Sequence, residues 1–204
     1  DLGTATDYAL AAVDTLTPGS LSWCRALGSC FLAFFMIGRV EHAERLIQAF
    51  FTATPDPDAR GYYLQAGAHL TTFFHVQGLR GATRSGVEKM APVAAALPSQ
   101  ARGYFLYATA GQALYLEPEP YRALCDIQEA VIAFRLNGDR YGETHSMFYS
   151  GLCYYGLGAF DQSEAVLKDA RALAVATQNM FFDAVIQFGR QVVVKGIEFH
   201  DGHS

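Results

Sequence analysis

A repeat of 40 residues runs through this chain and constrains its fold more than any other feature. The residues that mark its turns are Gly38, Gly78, Pro118 and Gly158. Small residues follow each mark by five positions, namely Ala43, Thr83, Ala123 and Ser163. Large apolar residues precede each mark by four positions, namely Phe34, Phe74, Leu114 and Tyr154. Because a period of this length without insertions is typical of stacked supersecondary units, the sequence predicts a solenoid.

Each repeat has the pattern of two amphipathic helices. In the fourth repeat, apolar and small residues recur at steps of three and four from Tyr141 to Leu157, and again from Phe160 to Thr177. That spacing places one buried stripe on each helix. Gly158 separates the two helices, since glycine accepts the left-handed conformation that often ends a helix. The chain is therefore predicted to be all-α, a right-handed α-solenoid of antiparallel helix pairs with about nine helices.

The predicted units form a single repeat domain over residues 1–204. They are a half unit at 1–19, repeats at 20–58, 59–98, 99–138 and 139–178, and a terminal helix at 179–198. A solenoid is one quasi-linear body because each unit contacts only its neighbours. Such bodies present long surfaces to partners, which favours binding over catalysis in a single cleft.

Composition and charge exclude several other classes of protein. The 204 residues are 51% hydrophobic and 17% charged, which is ample for a buried core. The net charge is −5 without a basic cluster, so we expect no nucleic-acid partner. The longest apolar run, Phe31 to Ile37, is too short to span a membrane, and residues 1–7 do not resemble a signal peptide. The four cysteines form no C-x-x-C pair, which indicates buried, reduced thiols in a cytoplasmic protein.

The fourth repeat carries the most specific pattern. Its small, aromatic and turn positions are Gly151, Tyr154, Gly158, Phe160, Ser163 and Ala170. This pattern resembles the tetratricopeptide repeat. The 40-residue period is longer than that family's usual one and is similar to the long-helix version of bacterial signalling proteins, such as ATPase-type transcription activators and serine/threonine kinases. The resemblance implies a fold and leaves the partner open.

The resemblance also implies where a binding site would lie, because the first helices of tetratricopeptide repeats line a groove. In the 40-residue register, one row on these helices consists of Phe35, His75, Tyr115, Tyr155 and Lys195. Neighbouring rows add Arg25, Gln65, Phe105 and His145, and then Leu32, Thr72, Gln112 and Leu152. A row of rings can stack on a peptide or on a planar ligand. Rings at helical spacing are also typical of a core, and both interpretations stay open.

No motif for catalysis, metal binding or phosphate binding is recognisable. His69 and His75 are six residues apart and so do not share a helix face, and a zinc site normally needs four convergent ligands. Local sequence places no activated nucleophile beside His75 or His145. No glycine-rich phosphate loop occurs. We therefore expect no enzymatic activity, no metal and no cofactor.

The terminal helix is apolar around much of its circumference. Its large apolar residues include Phe181, Phe182, Val185, Phe188 and Val192. The terminal repeats of a self-standing solenoid usually have a polar outer face. Three explanations stay open: further repeats in the natural protein, a homodimer through this helix, or packing on the fourth repeat with some tolerated exposure.

Two functions agree with these expectations. The first is a non-catalytic scaffold that binds a protein or peptide in the groove, as a regulatory segment of a larger cytoplasmic bacterial signalling protein linked to a kinase or an ATPase. The alternative is a small-molecule effector-sensing repeat domain of a transcription regulator. A closed pocket of roughly a few hundred cubic ångströms would favour the effector, and an open channel would favour the peptide.

Overall fold

The structure, a computed structural model, describes residues 2–38, 40 and 42–201, and for residues 2, 35 and 192–201 it describes the backbone alone. This part of the chain is all α-helical, which confirms the predicted fold class. It contains ten α-helices where about nine were predicted. They are α1 (Leu2–Thr15), α2 (Leu21–Ile37), α3 (Ala43–Thr52), α4 (Arg60–Val76), α5 (Arg80–Ala95), α6 (Gly103–Tyr115), α7 (Pro120–Leu136), α8 (Arg140–Gly156), α9 (Phe160–Ala176) and α10 (Met180–Asp201). Within the described residues, no helix is both long enough and apolar enough to cross a bilayer.

The two helices of the fourth repeat begin and end within one residue of their predicted bounds, and α10 continues past the predicted end at residue 198 to Asp201. The start of α6 shows why small shifts occur. The third predicted repeat begins at residue 99, but Ser99–Ala101 forms a separate 3-10 turn before the helix. The Nε of Arg102 donates to the Leu97 carbonyl at 2.8 Å and holds the chain between this turn and α6.

The glycines of the 40-residue register end helices in one shared geometry. Gly78 has a φ of 68°, and the next N–H, that of Leu79, donates back to the Phe74 carbonyl at 2.9 Å. Gly158 has a φ of 74°, and the N–H of Ala159 donates to the Tyr154 carbonyl at 2.9 Å. This is the hydrogen bond of a Schellman motif, in which the left-handed residue lets the chain satisfy the last carbonyls of a helix. The predicted role of the turn glycine is confirmed at both positions.

Contacts divide the chain into two compact units, Asp1–Ala108 and Thr109–Ser204. In the first unit, α1 packs on α2, α2 packs on α4, and α4 packs on α5. In the second unit, α7 packs on α8, α8 packs on α9, and α10 packs on both α8 and α9. These helices thus pack against helices close to them in sequence. The single repeat domain stays a prediction.

Each unit has its own buried core. In the first, the largest fully buried side chains belong to Trp23, Leu27, Phe31, Phe50, Tyr63 and Met90. In the second, Leu167, Ala170 and Ala174 of α9 form a cluster with Phe182 and Ile186 of α10. Small residues permit this packing, because a β-carbon at Gly151 would stand 2.5 Å from the Cδ2 of Leu167.

Two glycines of α4 allow a stability prediction with opposite signs. A β-carbon at Gly67 would overlap the side chain of Met90 and stand 2.9 Å from the Phe50 ring, whereas a β-carbon at Gly61 would meet nothing within 4 Å. We expect Gly67→Ala to destabilise the protein by about 1–3 kcal/mol through overpacking. We expect Gly61→Ala to stabilise it by about 0.5 kcal/mol, since alanine loses less backbone entropy than glycine in a helix.

Urea unfolding followed by circular dichroism tests this pair. Because both glycines lie on one helix, each serves as the control for the other. Equal effects of the two substitutions would show that the close contact at Gly67 is absent in solution.

Candidate functional site

A depression of about 270 Å³ lies between α2 and α4 in the first unit. It is open to solvent on one side. Its lining residues are Arg25, Gly28, Ser29, Leu32, Tyr62, Gln65 and His69. Arg25, Leu32 and Gln65 are residues of the predicted groove rows, so the structure brings three of them together at one place.

Arg25 is the positive charge of this depression. The carbon of its guanidinium lies 5.3 Å from the centroid of the Tyr62 ring, which is within the range of a cation–π contact. Arg25 forms no ion pair in the described part of the chain, and no Asp or Glu lines the depression. The guanidinium is therefore held by an aromatic face while its N–H groups remain available to an anionic ligand.

Gln65 supplies a hydrogen-bond acceptor. Its Nε2 donates to the hydroxyl of Tyr104 at 2.9 Å, which fixes the orientation of the amide group. The Oε1 atom on the other side of that amide is an acceptor with two lone pairs. A donor and an oriented acceptor thus line one depression.

His69 forms a buried wall of the depression. Its Nδ1 lies 3.0 Å from the carbonyl oxygen of Gly28, and because a carbonyl can only accept, Nδ1 carries the proton. The ring also meets Tyr104 edge-on, with centroids 6.2 Å apart. These contacts connect α4 to α2 and α6, so His69 helps to fix the positions of the helices that form the depression.

The remaining predicted residues of α4 are buried. Thr72 donates from its hydroxyl to the Ala68 carbonyl at 2.8 Å and lies 3.5 Å from the Tyr107 hydroxyl. His75 is buried, and burial lowers its pKa to about 4, so it is neutral at physiological pH. The row prediction is corrected at both positions, because these side chains belong to the interior and do not present a surface to a ligand.

In the second unit, Tyr115 and Gln112 lie on α6. Tyr115 is partly exposed and meets the buried Tyr149 edge-on, with centroids 5.6 Å apart. Gln112 donates from Nε2 to the Oε1 of Glu117 at 2.7 Å. Tyr115 therefore keeps an exposed ring face, as a groove residue would.

Of the other two predicted rings of the second unit, one is buried and one is partly buried against the core. His145 is buried, with its ring centroid 3.5 Å from that of Phe182 and 4.4 Å from that of Tyr141. Tyr155 packs against the core cluster and lies 5.5 Å from the Phe160 ring. The physical reason for this correction is that α10 packs on α8 and covers His145. Phe35 and Lys195, the two ends of the predicted ring row, lie outside the described side chains.

The terminal helix α10 has one buried and one exposed apolar side. Phe182 is only 3% exposed, so its predicted place in a homodimer interface is corrected, whereas Phe188 is 70% exposed. Phe181 packs on the core and Val185 is half-buried, while the side chain of Val192 lies outside the described part. Arg171 and Asp183 form an ion pair at 2.7 Å that joins α9 to α10. The homodimer itself stays a prediction.

The sequence interpretation missed Tyr62, His69 and Tyr104. A signal was present, since Tyr62 precedes Gln65 by three positions and His69 follows it by four. Residues at these spacings share one helix face. The contact between Gln65 and Tyr104 carried no such local signal, because these two residues are 39 positions apart in sequence and lie on different helices.

The buried cysteines have the properties of inert thiols. Burial, with smaller contributions from Asp56 and Asp58, raises the pKa of the Cys24 thiol to about 12, and burial raises that of Cys153 to about 12. Such thiols stay protonated at neutral pH and are poor nucleophiles. Cys125 is exposed, contrary to the expectation of buried thiols. Among the residues that the structure describes, no three His, Cys, Asp or Glu side chains converge as metal ligands would.

Comparison with known proteins adds no family to these observations. No protein-family model matches the chain, and no curated protein is significantly similar to it in sequence. The resemblance to tetratricopeptide repeats therefore stays a prediction.

Proposed function

We propose that this chain is a non-catalytic helical-repeat scaffold that binds a peptide segment of a partner protein between α2 and α4. The observation that carries this proposal is the open depression lined by both Arg25 and Gln65. Arg25 lies over the Tyr62 ring and forms no ion pair with the residues that the structure describes, and Gln65 is oriented by Tyr104. An extended peptide has N–H donors, carbonyl acceptors and side chains in regular alternation. It can therefore use a donor and an acceptor at once.

The lining residues favour a peptide that carries a negative charge. An anionic group would bind the guanidinium of Arg25, where no carboxylate of the depression competes. A backbone N–H would donate to the Oε1 of Gln65, and an apolar side chain would contact Leu32 and the Tyr62 ring. Arg25 would then be the residue with the largest effect on affinity, since hydrogen bonds to charged groups contribute most.

The size of the depression favours a peptide over a small-molecule effector. At about 270 Å³ it lies below the usual range of ligand pockets, and it is open on one side. Pockets that enclose a small ligand usually bury most of its surface. A peptide would need only one or two side chains in such a place and could continue beyond it.

The wider setting of the proposal is a regulatory segment of a larger cytoplasmic signalling protein with a kinase or ATPase module. The resemblance to long-period tetratricopeptide repeats supports this setting. It rests on the sequence pattern of the repeats, which is most specific in the fourth, and does not depend on the geometry of the depression in the first unit.

Selection of a displayed random peptide library against the purified chain tests the proposal. We expect enrichment of peptides with an acidic residue, and binding of the synthesised peptides that weakens about tenfold in Arg25→Gln. Arg84→Gln is the matched control, because Arg84 is an exposed arginine that does not line the depression, and it should leave the dissociation constant unchanged.

Two results would contradict the proposal. One is a selection that enriches no peptide above the immobilised-support background. The other is a set of peptides whose affinity is the same for the unchanged chain, Arg25→Gln and Arg84→Gln.

A further inference from the structure

A second and larger depression, of about 380 Å³, lies in the first unit outside the site described above. It is formed by the segment that follows α3, the first residue of α4 and the second half of α5. The lining residues that matter here are Pro55, Arg60, Glu88, Lys89, Pro92 and Val93. None of them lines the depression between α2 and α4.

Much of the lining of this second depression is apolar. Pro55 and Pro92 contribute rings without donors, and Val93 contributes a branched aliphatic side chain. Contact between water and such apolar surfaces is unfavourable, so the binding of an apolar ligand group that displaces this water is favourable. The volume lies inside the usual range of small-ligand pockets, although this depression is more open to solvent than the first. A ligand would therefore be held against the lining on one side and stay in contact with water on the other.

The lining also carries two positive charges that form no ion pair in the described part of the chain. They belong to Arg60 and Lys89. Six other arginines of the described part each contact a carboxylate, namely Arg45, Arg122, Arg135, Arg140, Arg171 and Arg190. Glu88 is the one acidic residue in the lining. Two cations against one carboxylate leave this lining with an excess positive charge.

Pro92 breaks a local rule of helix formation at this place. It lies inside α5, where a proline removes the N–H that would otherwise donate to the carbonyl of Glu88 and costs about 3 kcal/mol relative to alanine. Positions that violate a local rule without an evident structural gain are those expected at functional sites. The proline is exposed and is itself part of the apolar lining.

We propose that this second depression binds a small amphipathic anion, with an aromatic or branched aliphatic body against Pro55, Pro92 and Val93 and a carboxylate at Arg60 and Lys89. Charge complementarity selects the anion, and the apolar lining selects the body. The site is separate from the proposed peptide site, so either proposal can fail without the other.

An NMR titration of the ¹⁵N-labelled chain tests this proposal, with 1-naphthoate as the probe and the neutral 1-naphthalenemethanol as its uncharged counterpart. For a ligand of this size we expect a dissociation constant of about 1 mM for the naphthoate. The amide signals that shift should include Thr54, Val93 and Ala96, which line the depression. The alcohol should bind about tenfold more weakly.

Variants that are expected to change the affinity for naphthoate in opposite directions make the test specific. The double substitution R60Q/K89Q should weaken naphthoate binding about tenfold and change alcohol binding by less than about twofold. Glu88→Gln should tighten naphthoate binding about twofold, because it removes the one like charge of the lining. The matched control is R84Q/K168Q, which removes two positive charges outside the lining and should change neither affinity.

Three outcomes would overturn the proposal: no shifts at these amides up to about 10 mM naphthoate, equal binding of the acid and the alcohol, or equal affinities in R60Q/K89Q and R84Q/K168Q. Circular dichroism of each variant establishes that it is folded, so a loss of binding cannot be confused with a loss of structure.

Discussion

Replacement of Phe50 by alanine should lower the free energy of unfolding by about 3–5 kcal/mol, the largest loss we expect from one side chain of the first unit. The Phe50 ring is fully buried. It stacks on the Tyr63 ring with centroids 4.6 Å apart and planes 14° apart, and it meets Phe31 edge-on at 6.0 Å. Alanine would lose the apolar burial of the ring and both aromatic contacts, and would leave a cavity that the rigid helices cannot close.

The backbone contact of Phe50 should survive the substitution. The hydroxyl of Tyr63 donates to the Phe50 carbonyl at 2.8 Å, and this bond does not depend on the side chain at position 50. The measured loss therefore reports on packing. Phe50→Leu, which fills part of the space, should cost less than Phe50→Ala.

Urea unfolding followed by circular dichroism measures this effect. Tyr8→Ala is the matched control, because Tyr8 is an exposed aromatic residue of the same unit. Tyr8→Ala should change the free energy of unfolding by no more than about 0.5 kcal/mol. A loss below about 1 kcal/mol for Phe50→Ala would contradict the packing around this ring.

The helices could be predicted from the sequence because their signals are local. Gly78 and Gly158 mark turns through a backbone conformation that glycine favours, and the apolar stripes mark helices through their spacing. Both signals depend on residues within a few positions. The predicted boundaries therefore agree closely with the structure.

The predicted rows were less informative about the site because burial is not a local property. The 40-residue register makes His75 and Tyr115 equivalent, yet His75 is buried and Tyr115 is partly exposed. The difference depends on what each helix packs against, and the register carries no information on that. For the same reason the pair of Gln65 and Tyr104 could not be found from spacing alone.

Glu143 shows a second limit of sequence patterns. Acidic residues of an amphipathic helix are expected on the solvated face, and nothing in the sequence distinguishes Glu143 from them. Its side chain is nevertheless only 4% exposed. Two arginines compensate its charge: the Nε of Arg135 donates to Oε1 at 2.8 Å, and a guanidinium nitrogen of Arg140 donates to Oε2 at 2.7 Å.

We expect the double substitution R135M/R140M to lower the free energy of unfolding by about 3 kcal/mol at neutral pH, because it leaves a buried carboxylate without its partners. The expected value lies at the lower end of the range for broken buried pairs. The two arginine side chains are 60% and 58% exposed, so water already screens part of each pair. Arg122→Met is the matched control. Arg122 contacts Glu117 and Glu119, whose side chains are 25% and 51% exposed and therefore more hydrated than that of Glu143. Its replacement should lower the free energy of unfolding by less than about 1 kcal/mol.

The effect should depend on pH in a defined direction. In the unchanged protein, burial raises the pKa of Glu143, but the hydrogen bonds from Arg135 and Arg140 outweigh it and hold the pKa below its usual value. Such a group contributes stability above its unfolded pKa of about 4.3, and the contribution is lost as pH falls through the folded pKa. In R135M/R140M burial acts alone and raises the folded pKa, so the variant gains stability as the carboxyl takes up a proton. The difference in free energy of unfolding between the unchanged protein and R135M/R140M should therefore become smaller from about pH 7 to about pH 4.

A third substitution separates charge from packing. When Glu143→Gln is added to R135M/R140M, the buried group carries no charge and cannot titrate. We therefore expect partial recovery of stability at neutral pH, and a narrowing toward acid pH that is smaller than in the double variant and comes only from the unchanged protein's own loss. Urea unfolding at several pH values measures both quantities. If the double variant instead loses the same free energy at every pH, the loss comes from the apolar stems of the arginines, which also cover surface. The pH series therefore distinguishes a compensated buried charge from two ordinary packing contacts.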